Sequence, residues 1–295
     1  MRSTVLILTV LLLLAAVPAL ACPPPGYDKP ALQALKASGF AMADSARRHA
    51  LVEELVACLG DPDPELRDGV AFEALSKWMR DDAFDAAQLG ALRDRLYALL
   101  EGAEGEGYAR PFAALVLSEV ARTDRIKPWM SAAERAAMVE KAAAYVAGVR
   151  DYRGYDDVQG WRHGVAHGAD WLMQLALNPA LDRVQADRIL AAVAAQAVPD
   201  SGHAYVFGEP ERLARPVLFV AQRGLHSEAE WAAWFAALVP RIGDAELAYR
   251  DRAWLARKHD LSGLLHSLYL QADNSQDPGI RALQPGVLAA FKAIP

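Results

Sequence analysis

Strand-like alternation of Val, Ile and Thr is almost absent from this chain, which argues against a sheet-based core. Clustered Lys and Arg are absent too, and the net charge is −6, so no surface is offered to nucleic acid. No Gly-rich phosphate loop is present. Gly102 to Gly107 is flanked by glutamates and lacks the Lys-Ser/Thr ending. No Ser sits in a Gly-x-Ser-x-Gly elbow, which removes that hydrolase motif. Cysteine is scarce: Cys22 and Cys58 are the only two. No apolar run reaches the roughly 20 residues of a membrane span. The longest, Val5 to Val17, follows Arg2 and ends at the small-x-small site Ala19-Leu20-Ala21.

That pattern reads as a secretory signal over residues 1–21, cut before Cys22, with no transmembrane span after cleavage. The expected location is periplasmic or extracellular. Cys22 at the cut leaves a lipid anchor as the alternative, because lipoprotein signals also end just before a cysteine. Ala19 stands three residues before Cys22, where lipoproteins usually have Leu, so soluble export suits the site better. A Cys22–Cys58 disulfide is the third fate in an oxidising compartment. Cys58 lies in the apolar run Leu55-Val56-Ala57-Cys58-Leu59, however, and reads as a buried free thiol.

What is abundant is Ala, with helical spacing of larger apolar residues, and this predicts an all-α protein. Residues 22–43 read as an extended segment with a short helix, Lys29 to Gly39. Residues 44–295 read as a single helical repeat domain. Asp44 caps a helix to Leu59, and Asp63-Pro64 opens the next, to Met79. Ser131/Glu134 and Ser227/Glu230 are capping boxes. Glu246 to Ala272 is helical, with a break expected near His259. The helices fall into pairs whose second members begin near Pro64, Tyr108, Trp161, Pro210 and Lys258, 44 to 53 residues apart. That is close to the ~40–47 residues of HEAT and armadillo hairpins. A pair cannot bury its apolar side alone, so about five hairpins stacking into an α-solenoid is the predicted architecture.

Asp151 to Pro179 carries the candidate site. If Trp161 to Leu177 is one helix, His163, His167 and Asp170 stand at i, i+4 and i+7 on one face. Two imidazoles at that spacing can hold a metal, with Asp170 as third ligand, and zinc or manganese is the cofactor this reading carries. The glutamate of the zinc-protease helix is missing, since Gly164 follows His163. Gly164 and Gly168 inside a helix point to a close approach by a neighbouring helix or a ligand. The loop before the helix holds Asp151, Arg153, Tyr155, Asp156 and Asp157. The loop before the next repeat holds His203, Tyr205, Glu209, Glu211 and Arg212. In a solenoid the starts of successive second helices line one face. Trp161, His163, His167, Asp170, His203, Glu209 and Arg212 would then form one polar groove, and Arg110 would extend it. Asp156, Glu209 and Glu211 are the candidate acid–base residues. The bland alternatives are charge at a helix N-terminus for the glutamates and hydrogen bonding to a neighbouring helix for the histidines. His259 and His266 read as core or surface residues.

RGYDDVQGWRHGVAHGADWL, VFGEPERLARPV and HDLSGLLHSLYLQ resemble a bacterial family catalogued only as domain of unknown function 2785, over roughly Leu51 to Leu270. The family is similar to HEAT-like helical repeats. The resemblance marks Gly160, Trp161, His163, His167, Asp170, Glu209 and Arg212 as matched positions and implies no activity for them. The reading that follows is an exported binding or scaffold module, with a protein, a peptide or a cell-envelope component as partner. A metal-dependent hydrolase using His163, His167, Asp170 and a glutamate from 209–211 is the alternative.

Overall fold

The structure, a computed structural model, describes residues 22–295; the leader assigned to residues 1–21 lies outside the described residues. The described chain is all-α apart from one two-residue strand pair. The helices are α1 Lys29–Ala37, α2 Ser45–Cys58, α3 Pro64–Leu66, α4 Glu73–Arg80, α5 Ala86–Glu101, α6 Ala109–Ile126 and α7 Ala132–Gly148. They continue with α8 Gly164–Ala176, α9 Arg183–Ala197, α10 Glu209–Gln222, α11 Glu228–Leu238, α12 Arg252–Asn274, α13 Pro278–Arg281 and α14 Gln284–Ala293. None of them is long and apolar enough to cross a membrane.

The starts follow the cap chemistry. The Asp44 side chain accepts from the N–H groups of Ala46 and Arg47, and that of Asp63 from Glu65. Both predicted capping boxes form, Ser131 with Glu134 and Ser227 with Glu230. Two more arise at Asp85/Gln88 and Asp182/Gln185. The predicted helix 64–79 is interrupted by a π turn at Arg67–Phe72. Nor does the expected break at His259 occur: α12 runs through it, and two short 3-10 turns precede it instead.

Packing follows the alternation of the helices. α4 packs on α6, α6 on α8, α8 on α10 and α10 on α12, so every second helix belongs to one row. α7 pairs with α9, and α11 with α14. One apolar cluster extends through the described chain from Leu32 to Ala290, with Trp171, Trp231 and Trp254 fully buried in it. The glycines of α8 are packing residues. A Cβ on Gly168 would stand 2.6 Å from Val146 Cγ2, so α8 lies against α7 only because that side chain is missing.

Cys58 is buried, as its apolar run indicated, but it is not a free thiol. It forms a disulfide with Cys22, with the two Cα atoms 5.1 Å apart. The bond fastens the segment before α1 to the last residue of α2. The run around Cys58 reports burial, and it could not report that the chain before α1 returns to that spot.

Candidate functional site

The approach to α8 is a small built hairpin. Asp156 Oδ1 accepts from the N–H groups of Val158 and Gln159 at 2.9 and 2.8 Å. Tyr155 pairs with Trp161 and Asp156 with Gly160 in an antiparallel bridge. Gly160 turns at φ +71°, where a Cβ would stand 3.0 Å from Pro64 Cβ. Arg67 Nη2 donates to the Gln159 carbonyl at 2.7 Å and pins the hairpin to the π turn. The N–H groups of Arg162 and His163 then donate to the carbonyls of Gly154 and Arg153.

These bonds deliver His163 to the helix in the left-handed region, φ 55° and ψ 40°. This corrects the expected i, i+4, i+7 helix face. The helix begins at Gly164, and His163 is its N-cap residue, without a side-chain cap bond. Left-handed backbone costs a non-glycine residue about 1 kcal/mol, so the surrounding contacts hold His163 there. Its ring stacks on Trp161 with centroids 4.6 Å apart and meets His167 at 5.7 Å. Its Nε2 is buried with no hydrogen-bond partner and lies 3.8 Å from Glu209 Oε1.

His167 Nδ1 is 3.2 Å from the Pro111 carbonyl. A carbonyl only accepts, so Nδ1 carries the hydrogen and the neutral ring keeps its lone pair on Nε2. Burial lowers the His163 pKa to about 4, and the Arg212 charge adds to the shift. Burial, with His163 beside it, lowers that of His167 to about 3. Both rings are therefore neutral at neutral pH, and the His163–Glu209 contact is not an ion pair. Glu209 is 2 % exposed and accepts from the Phe207 N–H at 2.9 Å; burial raises its pKa. Asp170 is ion-paired with Arg212, and Arg215 Nη1 lies 3.6 Å from its other oxygen. Burial pushes the Asp170 pKa up against the pull of both guanidiniums.

The structure thus brings the start of α8 and the start of α10 together through His163–Glu209 and Asp170–Arg212. The contacts are direct. His163, His167, Asp170 and Glu209 are each less than a tenth exposed, so what they form is a closed seam. Trp161, Arg212 and Arg215 make its more exposed rim. His203 lies on the loop before α10, its ring stacked on Tyr152 at 5.5 Å and its buried Nε2 unpartnered. Asp156 is exposed, and its carboxylate is engaged in the hairpin turn. Glu211 is exposed, on the residue after Pro210. Arg110 belongs to a different neighbourhood, paired with Glu104 at 3.0 Å. Among the described residues no three His, Cys, Asp or Glu side chains gather closely enough to hold a metal ion.

Two charged residues near the seam are buried, which the sequence did not signal. Arg67 is fully buried under the hairpin. Asp260 is 1 % exposed; its Oδ1 accepts from the Tyr205 N–H at 2.8 Å, and its Oδ2 has no partner. Burial, with Glu209 adding, raises its pKa to about 7. His259 Nε2 donates to the Tyr205 carbonyl at 3.1 Å. No spacing within α12 announces that the 199–208 loop folds over it.

The strain at His163 has a measurable signature. His163→Gly removes the left-handed penalty and His163→Ala keeps it, so the glycine variant is expected to be more stable by about 1 kcal/mol in urea unfolding. Equal stability of the two would contradict a strained backbone. The pH dependence has a definite sign. The folded ring refuses a proton until about pH 4, while the unfolded ring takes one near 6.5. Stability that is full above pH 6.5 is therefore lost as pH falls through that interval, and the loss is shallower in His163→Gly.

Comparison with known proteins adds a family. The model of the family described as "Protein of unknown function (DUF2785)" matches residues 96–270, more than half of the chain. The chain belongs to this family. No curated protein and no solved structure matches it. The DUF2785 region begins within α5 and ends within α12. It therefore contains every residue of the seam and begins later than the Leu51 suggested by the motifs. Arg67 and the disulfide lie outside it.

Proposed function

We propose that this DUF2785 protein is an exported binding module, an α-solenoid of stacked helix pairs forming one repeat domain, which recognises its partner at the rim of the α8/α10 seam. The observation that carries the reading is His163. A non-glycine residue held left-handed, with its Nε2 buried, unpartnered and 3.8 Å from a carboxyl oxygen, is a local cost that the fold retains. Such strain concentrates at sites where a side chain must be placed for a ligand. The row of alternate helices supports the solenoid, because each member meets the next. The Cys22–Cys58 disulfide supports export, because such bonds persist in oxidising compartments. It also favours the soluble form, since a sulfur in a disulfide cannot carry a lipid thioether.

A partner would dock over Trp161, Arg212 and Arg215, and its polar groups would part the closed seam to engage Glu209 and the His163 Nε2. Envelope-facing chemistry, peptide or glycan, presents such groups. Asp170 is committed to two arginines, which argues against its use as a metal ligand and leaves the metal-dependent hydrolase without a specific observation in its favour.

Trp161 reports on the site because it stacks on His163. Peptidoglycan fragments and envelope-derived peptides are titrated while tryptophan emission is followed, with Trp161→Phe as background. The expected result is a saturable change that Glu209→Gln weakens about tenfold, the scale of one charge-assisted hydrogen bond. Turnover of an added substrate, with no saturable binding of these components, would contradict the binding-module reading.

A further inference from the structure

A second site lies behind the seam. α5, α7, the N-terminal turn of α6 and the first residue of α8 enclose a half-open cleft of about 630 Å³. That is within the size range of small-molecule pockets. Its walls are largely apolar, formed by Tyr97, Leu100, Pro111, Ala144 and Val149. Pro111 and Gly164 belong to both the cleft and the neighbourhood of the seam, since the Pro111 carbonyl accepts from His167 and Gly164 follows His163.

The lining carries three acidic and three basic side chains, but their pairing is uneven. Lys141 is paired with Glu101 at 2.7 Å, and Arg110 with Glu104 at 3.0 Å. Asp151 is paired with Arg153, which is not part of the lining. Arg150 remains. Its guanidinium donates to the carbonyls of Ala147 and Val149, at 2.9 and 2.7 Å, and has no carboxylate partner among the described residues. An apolar pocket edged by a cation without a carboxylate partner suits an apolar body that ends in an anion.

We propose that this cleft binds a small amphipathic carboxylate, its apolar part against Tyr97, Leu100 and Val149 and its carboxylate on Arg150. The helix α7 leaves room for it. A Cβ built on Gly148 meets nothing within 4 Å, and Ala144 is exposed to the same space. The cleft lining shares no residue with the rim formed by Trp161, Arg212 and Arg215.

The test uses decanoate as probe, with 1-decanol as the uncharged counterpart, in calorimetric titrations of the full exported chain at neutral pH. Decanoate is expected to bind about tenfold or more tightly than decanol. Arg150→Gln is expected to bring decanoate down to the level of decanol. Gly148→Phe projects from a position where a Cβ meets nothing within 4 Å, and is expected to abolish both while leaving thermal unfolding unchanged. Failure of decanoate to bind overturns the proposal. So does equal affinity for the two probes, or decanoate binding that survives Gly148→Phe.

Discussion

Arg67→Ala is expected to destabilise the protein by about 3 kcal/mol or more. Arg67 has no exposed surface. Its Nη1 donates to the carbonyls of Asp61 and Pro62 at 2.9 and 3.3 Å, and its Nη2 to Asp68 and to the Gln159 carbonyl, both at 2.7 Å. The guanidinium carbon also lies 4.1 Å from the Tyr108 ring centroid and 4.9 Å from that of Phe112. Alanine leaves the carbonyls without their donor and opens a void beneath the hairpin. Lysine offers no planar fork and is expected to rescue little of the loss. Urea unfolding with an unchanged slope is the measurement. Because Arg67 anchors the hairpin that carries Trp161, its removal is also expected to alter Trp161 emission in the folded state. A loss below about 1 kcal/mol would show that the hairpin stands without it.

Breaking the disulfide is expected to have an effect of similar size. Cys22 and Cys58 close a loop with a separation of 36 residues. Chain-entropy arguments assign a loop of that length about 4 kcal/mol. A reducing agent should lower the unfolding midpoint of the wild-type chain and leave that of Cys22→Ser, already lowered, unmoved. A wild-type midpoint indifferent to reductant would mean that the segment before α1 is held by its other contacts, such as Arg47 Nε donating to the Tyr27 hydroxyl at 3.1 Å.

The same residues mark how far the sequence could be read. Helix starts were legible where a side chain caps its own backbone, as at Asp44, Asp63, Ser131 and Ser227, because that bond is local. Placing successive helix starts side by side put the start of α8 and the start of α10 on one face; the individual pairs His163–Glu209 and Asp170–Arg212 did not follow from it. What escaped depends on chain segments distant in sequence. The hairpin that keeps His163 out of the helix is fixed by Arg67, which lies 92 residues from Gln159. Asp260 gains its role from a loop 55 residues earlier. Helical periodicity could assign Cys58 to the core but could not supply its partner. The glycines of α8 were ambiguous between ligand and neighbour, and Tyr145 and Val146 resolve them as sites of helix contact.

The proposed partner site rests on buried, uncharged imidazoles that lie beside a carboxyl group in the closed seam. Side-chain NMR titration of the histidines, with His163 assigned by its disappearance in His163→Gly, tests this most directly. The His163 ring is expected to stay neutral from neutral pH down to about 4. A His163 that is already protonated near pH 6.5 or above would make its contact with Glu209 an ordinary ion pair and would contradict the account.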